Sequence, residues 1–82
     1  MDYYIFNTET EVKDKNEAIY DLYAPPRSER FTLYAYSMFT NGSEFAMEYD
    51  GTFDSQGLLD GLTPLTEQET INQGFDLDNS II

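Results

Sequence analysis

The residues that could do chemistry in this 82-residue chain are its carboxylates, since Asp and Glu number sixteen while histidine and cysteine are absent. Without histidine, the chain lacks the usual general base and the commonest nitrogen ligand for a metal. Without cysteine, it has no thiolate nucleophile and no disulfide. A paired-carboxylate hydrolase needs a cleft that raises the pKa of one acid, and a chain this short has little material for one. We therefore expect no enzymatic activity, no catalytic residues and no cofactor.

The acids around residue 50 are spaced closely enough to be tested against the pattern of a calcium-binding loop. An EF-hand loop requires glycine at its sixth position and glutamate at its twelfth. A loop that starts at Asp50 has Ser55 and Gly61 at those positions. A loop that starts at Glu48 has Phe53 in place of the glycine. We therefore predict a solvated turn followed by helix-capping acids, and no metal site.

The distribution of charge is the most informative feature of the sequence. Sixteen acids and four cations give a net charge of −12, and the four cations all precede residue 31. Residues 31–82 contain nine acids and no Lys or Arg. A surface of one sign repels itself, which destabilises the folded state. Because nucleic-acid binding requires Lys and Arg at the phosphates, we expect no direct nucleic-acid binding and infer instead a basic protein partner.

Composition also bounds the domain and its compartment. Apolar residues make up 40% of the chain and thirteen residues are Phe or Tyr, which is enough to build one folded domain over residues 1–82. Residues 1–6 have neither a basic leader nor an apolar run of signal-peptide length. No stretch approaches the roughly 20 apolar residues of a membrane-spanning helix. We expect a cytoplasmic protein of a bacterial host cell that does not bind membranes.

Residue patterns predict an α+β fold, a small antiparallel sheet with one or two short helices packed on one face. β-Branched and aromatic residues indicate a first strand over Tyr3–Asn7. Apolar residues at helical spacing indicate a short helix over Asn16–Tyr23, which Pro25 and Pro26 end. The three leucines within Ser55–Leu62 are typical of a single helical turn.

The C-terminal third carries a second helix signal. Thr66 and Glu69 have the spacing of a capping box, so we predict a helix from Glu67 to about Gln73, with Gly74 as its C-terminal cap. The tail, residues 75–82, alternates apolar and polar residues at first. It can form an edge strand or a frayed end.

A central hairpin is predicted over residues 31–39 and 44–53, because Asn41-Gly42 between two strand-like runs is a strong hairpin signal. A two-residue Asn41-Gly42 loop would pair Thr40 with Ser43 and place Met38 on the same face as Met47. A three-residue loop would pair Phe39 with Ser43 and gather an apolar face. That face would hold Phe31, Leu33, Ala35, Phe39, Phe45, Met47 and Tyr49. We prefer the three-residue loop because it leaves no Leu or Phe among carboxylates, although a slip of one residue would exchange the faces.

The candidate partner-binding residues follow from this hairpin. Glu44, Glu48 and Asp50 have even spacings, so on a strand they would project from one face in steps of roughly 6.8 Å. Tyr34 and Tyr36 beside them would supply contact area, unless they are buried with the hydroxyl at the surface. The complete predicted site consists of Tyr34, Tyr36, Glu44, Glu48, Asp50, Asp54, Asp60, Glu67 and Glu69. The alternative for the acids is a generic solubilising surface.

Three functions fit these observations. The first is an inhibitor that presents a DNA- or RNA-like negative surface to a basic nucleic-acid-binding protein; in size and charge the chain resembles the small phage-encoded proteins that block restriction, CRISPR or repair enzymes. The second is an immunity or antitoxin-type protein that caps a basic nuclease or toxin. The third is a structural or assembly subunit, including a homodimer joined through a hairpin edge or the tail.

Overall fold

The computed structural model describes residues 1–51 and 56–82, and it has the α+β fold that the sequence predicts. A three-stranded antiparallel sheet has the order β1-β3-β2, so β3 is the central strand. The elements are β1 Asp2–Phe6, α1 Glu9–Tyr23, a 3-10 turn Arg27–Glu29, β2 Met38–Thr40, β3 Phe45–Tyr49 and α2 Glu67–Asn72. Neither helix in the described ranges has the length and apolarity needed to cross a bilayer.

Helix α1 is longer than predicted, because it begins at Glu9 and not at Asn16. Thr8 caps it, with the side-chain oxygen accepting a hydrogen bond from the backbone N–H of Glu11 at 3.2 Å. Glu9 and Glu11 lie in the first turn, where negative charge is favourable at the positive end of the helix dipole. The helix ends at Tyr23, just before the two prolines, as predicted.

Helix α1 covers one face of the sheet. Its buried residues Val12 and Ile19 belong to the same hydrophobic cluster as Tyr4, Met38 and Met47. All of these side chains are less than a tenth exposed. This face, which we call the α1 face, therefore holds the larger part of the core.

The opposite face of the sheet is also covered, which differs from the prediction that the helices share one face. Tyr3, Phe39 and Ala46 form a second cluster there with Phe75, which follows α2. Leu65, which precedes α2, pairs with Tyr3 through two backbone hydrogen bonds of 2.9 and 2.8 Å. Residues 65–77, with α2 among them, thus form the layer on this face, which we call the α2 face.

The preferred hairpin register is wrong. The strands pair Met38 with Met47 and Thr40 with Phe45. Met38 and Met47 therefore share a face, as the two-residue loop would also have placed them. That loop would pair Thr40 with Ser43, so the observed partner of Thr40 lies two residues further along the chain. The Asn41 side chain fixes the turn, since its Oδ1 accepts hydrogen bonds from the N–H groups of Ser43 and Glu44 at 2.9 and 2.8 Å.

Residues 31–37 do not form the predicted strand. Phe31 is fully exposed and Leu33 is 40% exposed, so neither belongs to the core face on which the helices were expected to pack. Strand β2 starts only at Met38. Strand β3 ends at Tyr49, and the last predicted strand residues, 52 and 53, lie outside the described residues.

The C-terminal region combines one confirmed prediction and two differences. Helix α2 has both hydrogen bonds of the Thr66–Glu69 capping box, and Gly74 follows it with φ +90°. Residues 56–61 form successive turns and no helix. The tail is neither a strand nor frayed, because the N–H of Ile81 donates to the carbonyl of Met38 at 2.7 Å.

Candidate partner-binding surface

The two arginines are held against the C-terminal part of α1. Both contact the carboxylate of Asp21, and Arg27 also contacts Glu17. Hydrogen bonds from Arg30 and Arg27 hold the pKa of Asp21 below its usual value. The guanidinium of Arg30 lies 4.6 Å from the centre of the Tyr20 ring and is almost completely buried. Its Nε and Nη1 atoms have no hydrogen-bond acceptor within the described part of the chain.

The two lysines also belong to α1. Lys13 forms an ion pair of 2.8 Å with Glu9, one helical turn before it. The ammonium of Lys15 donates to the carbonyl oxygen of Leu58 at 2.7 Å, which ties α1 to the turn at residues 56–61. Since these are all the lysines and arginines of the chain apart from Arg27 and Arg30, the positive charge is concentrated around α1.

Among the described residues, the charged side chains on the α2 face are all carboxylates. Its layer, residues 65–77, and the end of the chain lie within the cation-free part of the sequence. Five carboxylates are placed on the sheet surface here, on α2 and in the segment that follows. We call them the acidic layer: Glu48, Glu67, Glu69, Asp76 and Asp78. In the described part of the chain, the sheet therefore separates a side at α1 with charged side chains of both signs from a side at α2 whose charged side chains are acidic.

The hydroxyl of Tyr3 is influenced by two of these acids. Its side chain is buried, and its hydroxyl donates to Oε2 of Glu48 at a long 3.5 Å. Burial raises the pKa of Tyr3, and the negative charges of Glu48 and Glu67 raise it further. An acid from the sheet and an acid from α2 thus act on one hydroxyl.

Two other members of the acidic layer are fixed by local hydrogen bonds. The carboxylate of Glu69 accepts from the N–H of Thr66 at 3.0 Å, and bonds with Thr66 lower the pKa of Glu69. Asp76 accepts from the Asn79 side chain at 2.7 Å and from the N–H of Asp78 at 3.0 Å, which lowers the pKa of Asp76. Both groups therefore stay ionised and hold a defined orientation.

The tyrosines predicted for the site lie elsewhere. Tyr36 is only 5% exposed and belongs to the core on the α1 face, where its ring contacts that of Tyr49 at 5.6 Å. Tyr34 is half-buried and packs against the same cluster. Because the preferred register was wrong, neither tyrosine stands beside Glu48, which is on the other face of the sheet. Tyr36 in particular is a core residue and not a surface contact.

The predicted row of acids on the hairpin is not formed either. Glu44 lies in the turn before β3 and Asp50 follows its end, so only Glu48 projects from a strand. Asp60 is exposed in the turn that Lys15 contacts, next to α1. Asp54 lies outside the described residues. The structure therefore brings together three of the predicted acids, namely Glu48, Glu67 and Glu69.

Tyr3, Asp76 and Asp78 belong to this surface although they are not among the predicted site residues. The alternation of Phe75, Asp76, Leu77 and Asp78 contained the signal, because Phe75 is buried and Leu77 partly buried while both acids are exposed. For Tyr3, no pattern in the sequence indicates that its hydroxyl would meet an acid 45 residues away.

Comparison with protein families, curated proteins and solved structures gave no match to this chain. Within residues 1–51 and 56–82, no three acids are grouped so that they could hold a metal ion.

Proposed function

We propose that this protein binds a basic protein surface through the acidic layer. In this proposal, it acts in the bacterial cytoplasm as an inhibitor that offers a DNA- or RNA-like negative surface to a nucleic-acid-binding protein. The observation that carries the proposal is the separation of charge by the sheet: the lysines and arginines surround α1, while the α2 face has carboxylates alone. Positive charge from a partner would relieve the repulsion among these carboxylates.

The physical benefit of such a surface lies mainly in the rate and selectivity of association. A concentrated negative field steers a basic partner and can raise association rates by about ten- to a thousand-fold at low salt. Glu69 and Asp76 are held ionised and oriented by their own hydrogen bonds. These two carboxylates are therefore already ordered before a partner binds, which reduces the conformational entropy lost on binding.

The test compares two variants that remove equal charge from different places. The first, E48Q/E67Q/D78N, changes the acidic layer. The control, D2N/E29Q/D60N, removes three carboxylates outside the acidic layer. A partner captured from bacterial lysate at low salt is identified and purified, and its affinity for the wild type and both variants is then measured.

We expect the acidic-layer variant to bind at least ten-fold more weakly than the control variant, and wild-type binding to weaken as salt rises. We also expect the protein to displace a duplex or single-stranded oligonucleotide from the purified partner. Equal affinity of the two variants, or simultaneous binding of the oligonucleotide and this protein, would contradict the proposal.

A second function is favoured by a different observation, the exposed apolar residues near the end of α1. Phe31 is fully exposed, and Leu22 and Leu33 are 47% and 40% exposed. An immunity-type cap for a basic nuclease or toxin would use such apolar anchors at the centre of its interface. The variant Phe31→Ser separates the two functions. If the protein is a nucleic-acid mimic, Phe31→Ser should leave its affinity for the partner unchanged. If the protein is an immunity-type cap, the same substitution should weaken partner binding at least ten-fold.

A further inference from the structure

The hairpin turn contains Asn41-Gly42, in which an asparagine side chain is followed by the residue with the least hindered backbone nitrogen. Such a pair can lose ammonia without an enzyme, and asparagine is one of the heat-labile residues of proteins. Asn41 is partly exposed and Gly42 is exposed. Apart from the chain neighbours of Gly42, no described residue has a heavy atom within 4 Å of the point where a Cβ on this glycine would lie. Water therefore reaches this peptide bond.

Asn41 also joins the hairpin to the layer on the α2 face. Its side-chain Nδ2 donates to the backbone carbonyl of Gln73 at 3.0 Å. The next residue, Gly74, is equally close, since a Cβ added there would lie 3.7 Å from the Cβ of Asn41. Gln73 directly follows the last residue of α2. The amide of Asn41 therefore holds the C-terminal end of the helix against the turn.

We infer that Asn41 is a site of spontaneous deamidation, and that this conversion releases the C-terminal end of α2 from the hairpin turn. The backbone nitrogen of Gly42 gives its proton to hydroxide and attacks Cγ of Asn41. The new N–Cγ bond closes a five-membered succinimide ring, while the Cγ–Nδ2 bond breaks and ammonia leaves with a proton taken from water. A second water molecule then opens the ring at either carbonyl, which leaves aspartate or isoaspartate in place of asparagine.

The native turn slows this reaction because it holds both reacting groups in other hydrogen bonds. Oδ1 of Asn41 accepts from the N–H groups of Ser43 and Glu44 at 2.9 and 2.8 Å. The attacking group, the N–H of Gly42, donates to the Thr40 hydroxyl at 3.1 Å. These bonds must open before Cγ can meet the Gly42 nitrogen, so the reaction proceeds from the fraction of molecules in which the turn is open.

The products cannot keep the contact with α2. Both lack the Nδ2 donor, and both bring a carboxylate toward the carbonyl of Gln73, at the negative end of the helix dipole. Isoaspartate also adds a methylene group to the backbone of the turn. Ammonia escapes into dilute solution, so the conversion is irreversible. Because the reaction needs no partner, it is independent of the proposed function; where that function holds, conversion loosens the helix that carries Glu67 and Glu69.

The first test follows the full chain in mildly alkaline buffer, both native and unfolded in urea. Tandem mass spectrometry locates each replacement of an NH₂ group by OH. The other four asparagines are internal controls, because each is followed by a residue with a side chain; they are Asn7, Asn16, Asn72 and Asn79.

We expect Asn41 to convert before the other asparagines in both states, and about ten-fold or more slowly in the native chain than in urea. Thr40→Val removes the acceptor of the Gly42 N–H. It should raise the native rate about three-fold or more and leave the rate in urea unchanged. Gly42→Ala should slow the reaction in urea, where no turn conformation is at stake, because its methyl group hinders the attacking nitrogen.

The second test measures what the conversion does to α2. In Asn41→Asp, the amide hydrogens of Gln73 and Gly74, which bond to the last turn of the helix, should exchange about five-fold or more faster than in the wild type. Asn72→Asp places the same charge at the same end of α2 and keeps the Asn41 amide, so it should change these rates less than about two-fold. Protection of the β3 amides verifies that both variants are folded.

Three results overturn the inference. The first is conversion of another asparagine ahead of Asn41. The second is an equal rate of Asn41 conversion in the native and unfolded chains. The third is exchange of the Gln73 and Gly74 amides in Asn41→Asp that is no faster than in Asn72→Asp.

Discussion

Asn16 and Tyr36 are joined by two hydrogen bonds in the core. The side-chain Nδ2 of Asn16 donates to the carbonyl of Tyr36 at 2.5 Å, and its Oδ1 accepts from the N–H of Tyr36 at 3.0 Å. Oδ1 also accepts from the N–H of Ala35 at 2.9 Å. Asn16 has no exposed surface. One side chain of α1 thus satisfies backbone groups that would otherwise need a neighbouring strand.

Replacing Asn16 by leucine should destabilise the protein by about 3 kcal/mol, because backbone groups of residues 35 and 36 lose their three hydrogen bonds to the Asn16 side chain. Urea unfolding measures this loss, and hydrogen exchange should show faster exchange of the Ala35 and Tyr36 amides. Asn72→Leu, at an exposed position of α2, is the control and should change stability by less than about 0.5 kcal/mol. Equal unfolding midpoints for the two variants would show that Asn16 does not hold this segment.

The hydrogen bonds of Asn16 explain why the strand predicted for residues 31–37 does not form. Apolar residues at every second position, such as Leu33 and Ala35, are typical of a strand. A strand forms, however, only where its backbone N–H and C=O groups find hydrogen-bond partners on another strand. Here the partner of residues 35 and 36 is an asparagine about twenty residues earlier. No local pattern distinguishes such a residue from an exposed helix asparagine.

Other features were predictable because their causes are local. Helix α2 follows from the Thr66–Glu69 capping box and from Gly74, all within nine residues. The concentration of cations around α1 follows from the order of charges in the sequence. Which acids share a face was not predictable, because it depends on the hairpin register and on the layer that residues 65–77 add to the sheet.

Glu69 should make a pH-dependent contribution to stability. Its pKa is lower in the folded state than the ordinary 4.5, owing to hydrogen bonds with Thr66. This contribution is fully present above pH 4.5 and is lost as the pH falls through the lowered folded value. Urea unfolding of wild type and Glu69→Ala should therefore differ most at neutral pH and converge under acidic conditions. Glu29→Ala, an exposed acid outside α2, is the control, and a difference that stays constant with pH would contradict this role.

Tyr3 should titrate at a higher pH than an exposed tyrosine. Burial is the main cause, and Glu48 and Glu67 add to it. In E48Q/E67Q, the pKa of Tyr3 should fall but remain above 10.0, because burial persists. A raised folded pKa stabilises the protein below pH 10 and this stability is lost as the pH rises through the folded value. The tyrosinate signal of Tyr3, isolated by subtraction of a Tyr3→Phe spectrum, measures this pKa. An unchanged pKa in E48Q/E67Q would mean that these acids do not act on the hydroxyl.

The end of the chain should protect the outer edge of β2. The N–H of Ile81 donates to the carbonyl of Met38, and the hydroxyl of Ser80 contacts the same backbone. Ile81 also packs against the core on the α1 face. Proline at position 81 removes both the donor and part of this packing, so Ile81→Pro should destabilise the protein by about 1–3 kcal/mol.

Ile81→Pro should also promote self-association, because an uncovered strand edge can pair with a second chain. Sedimentation velocity over a range of protein concentrations measures this, alongside urea unfolding. Ile82→Pro is the matched control, since the N–H of Ile82 donates to the Ser80 hydroxyl and not to the backbone of β2. We expect the Ile82 variant to remain at the wild-type association state. If Ile81→Pro is as stable as the wild type and associates no more than Ile82→Pro, then the end of the chain does not protect the edge of β2.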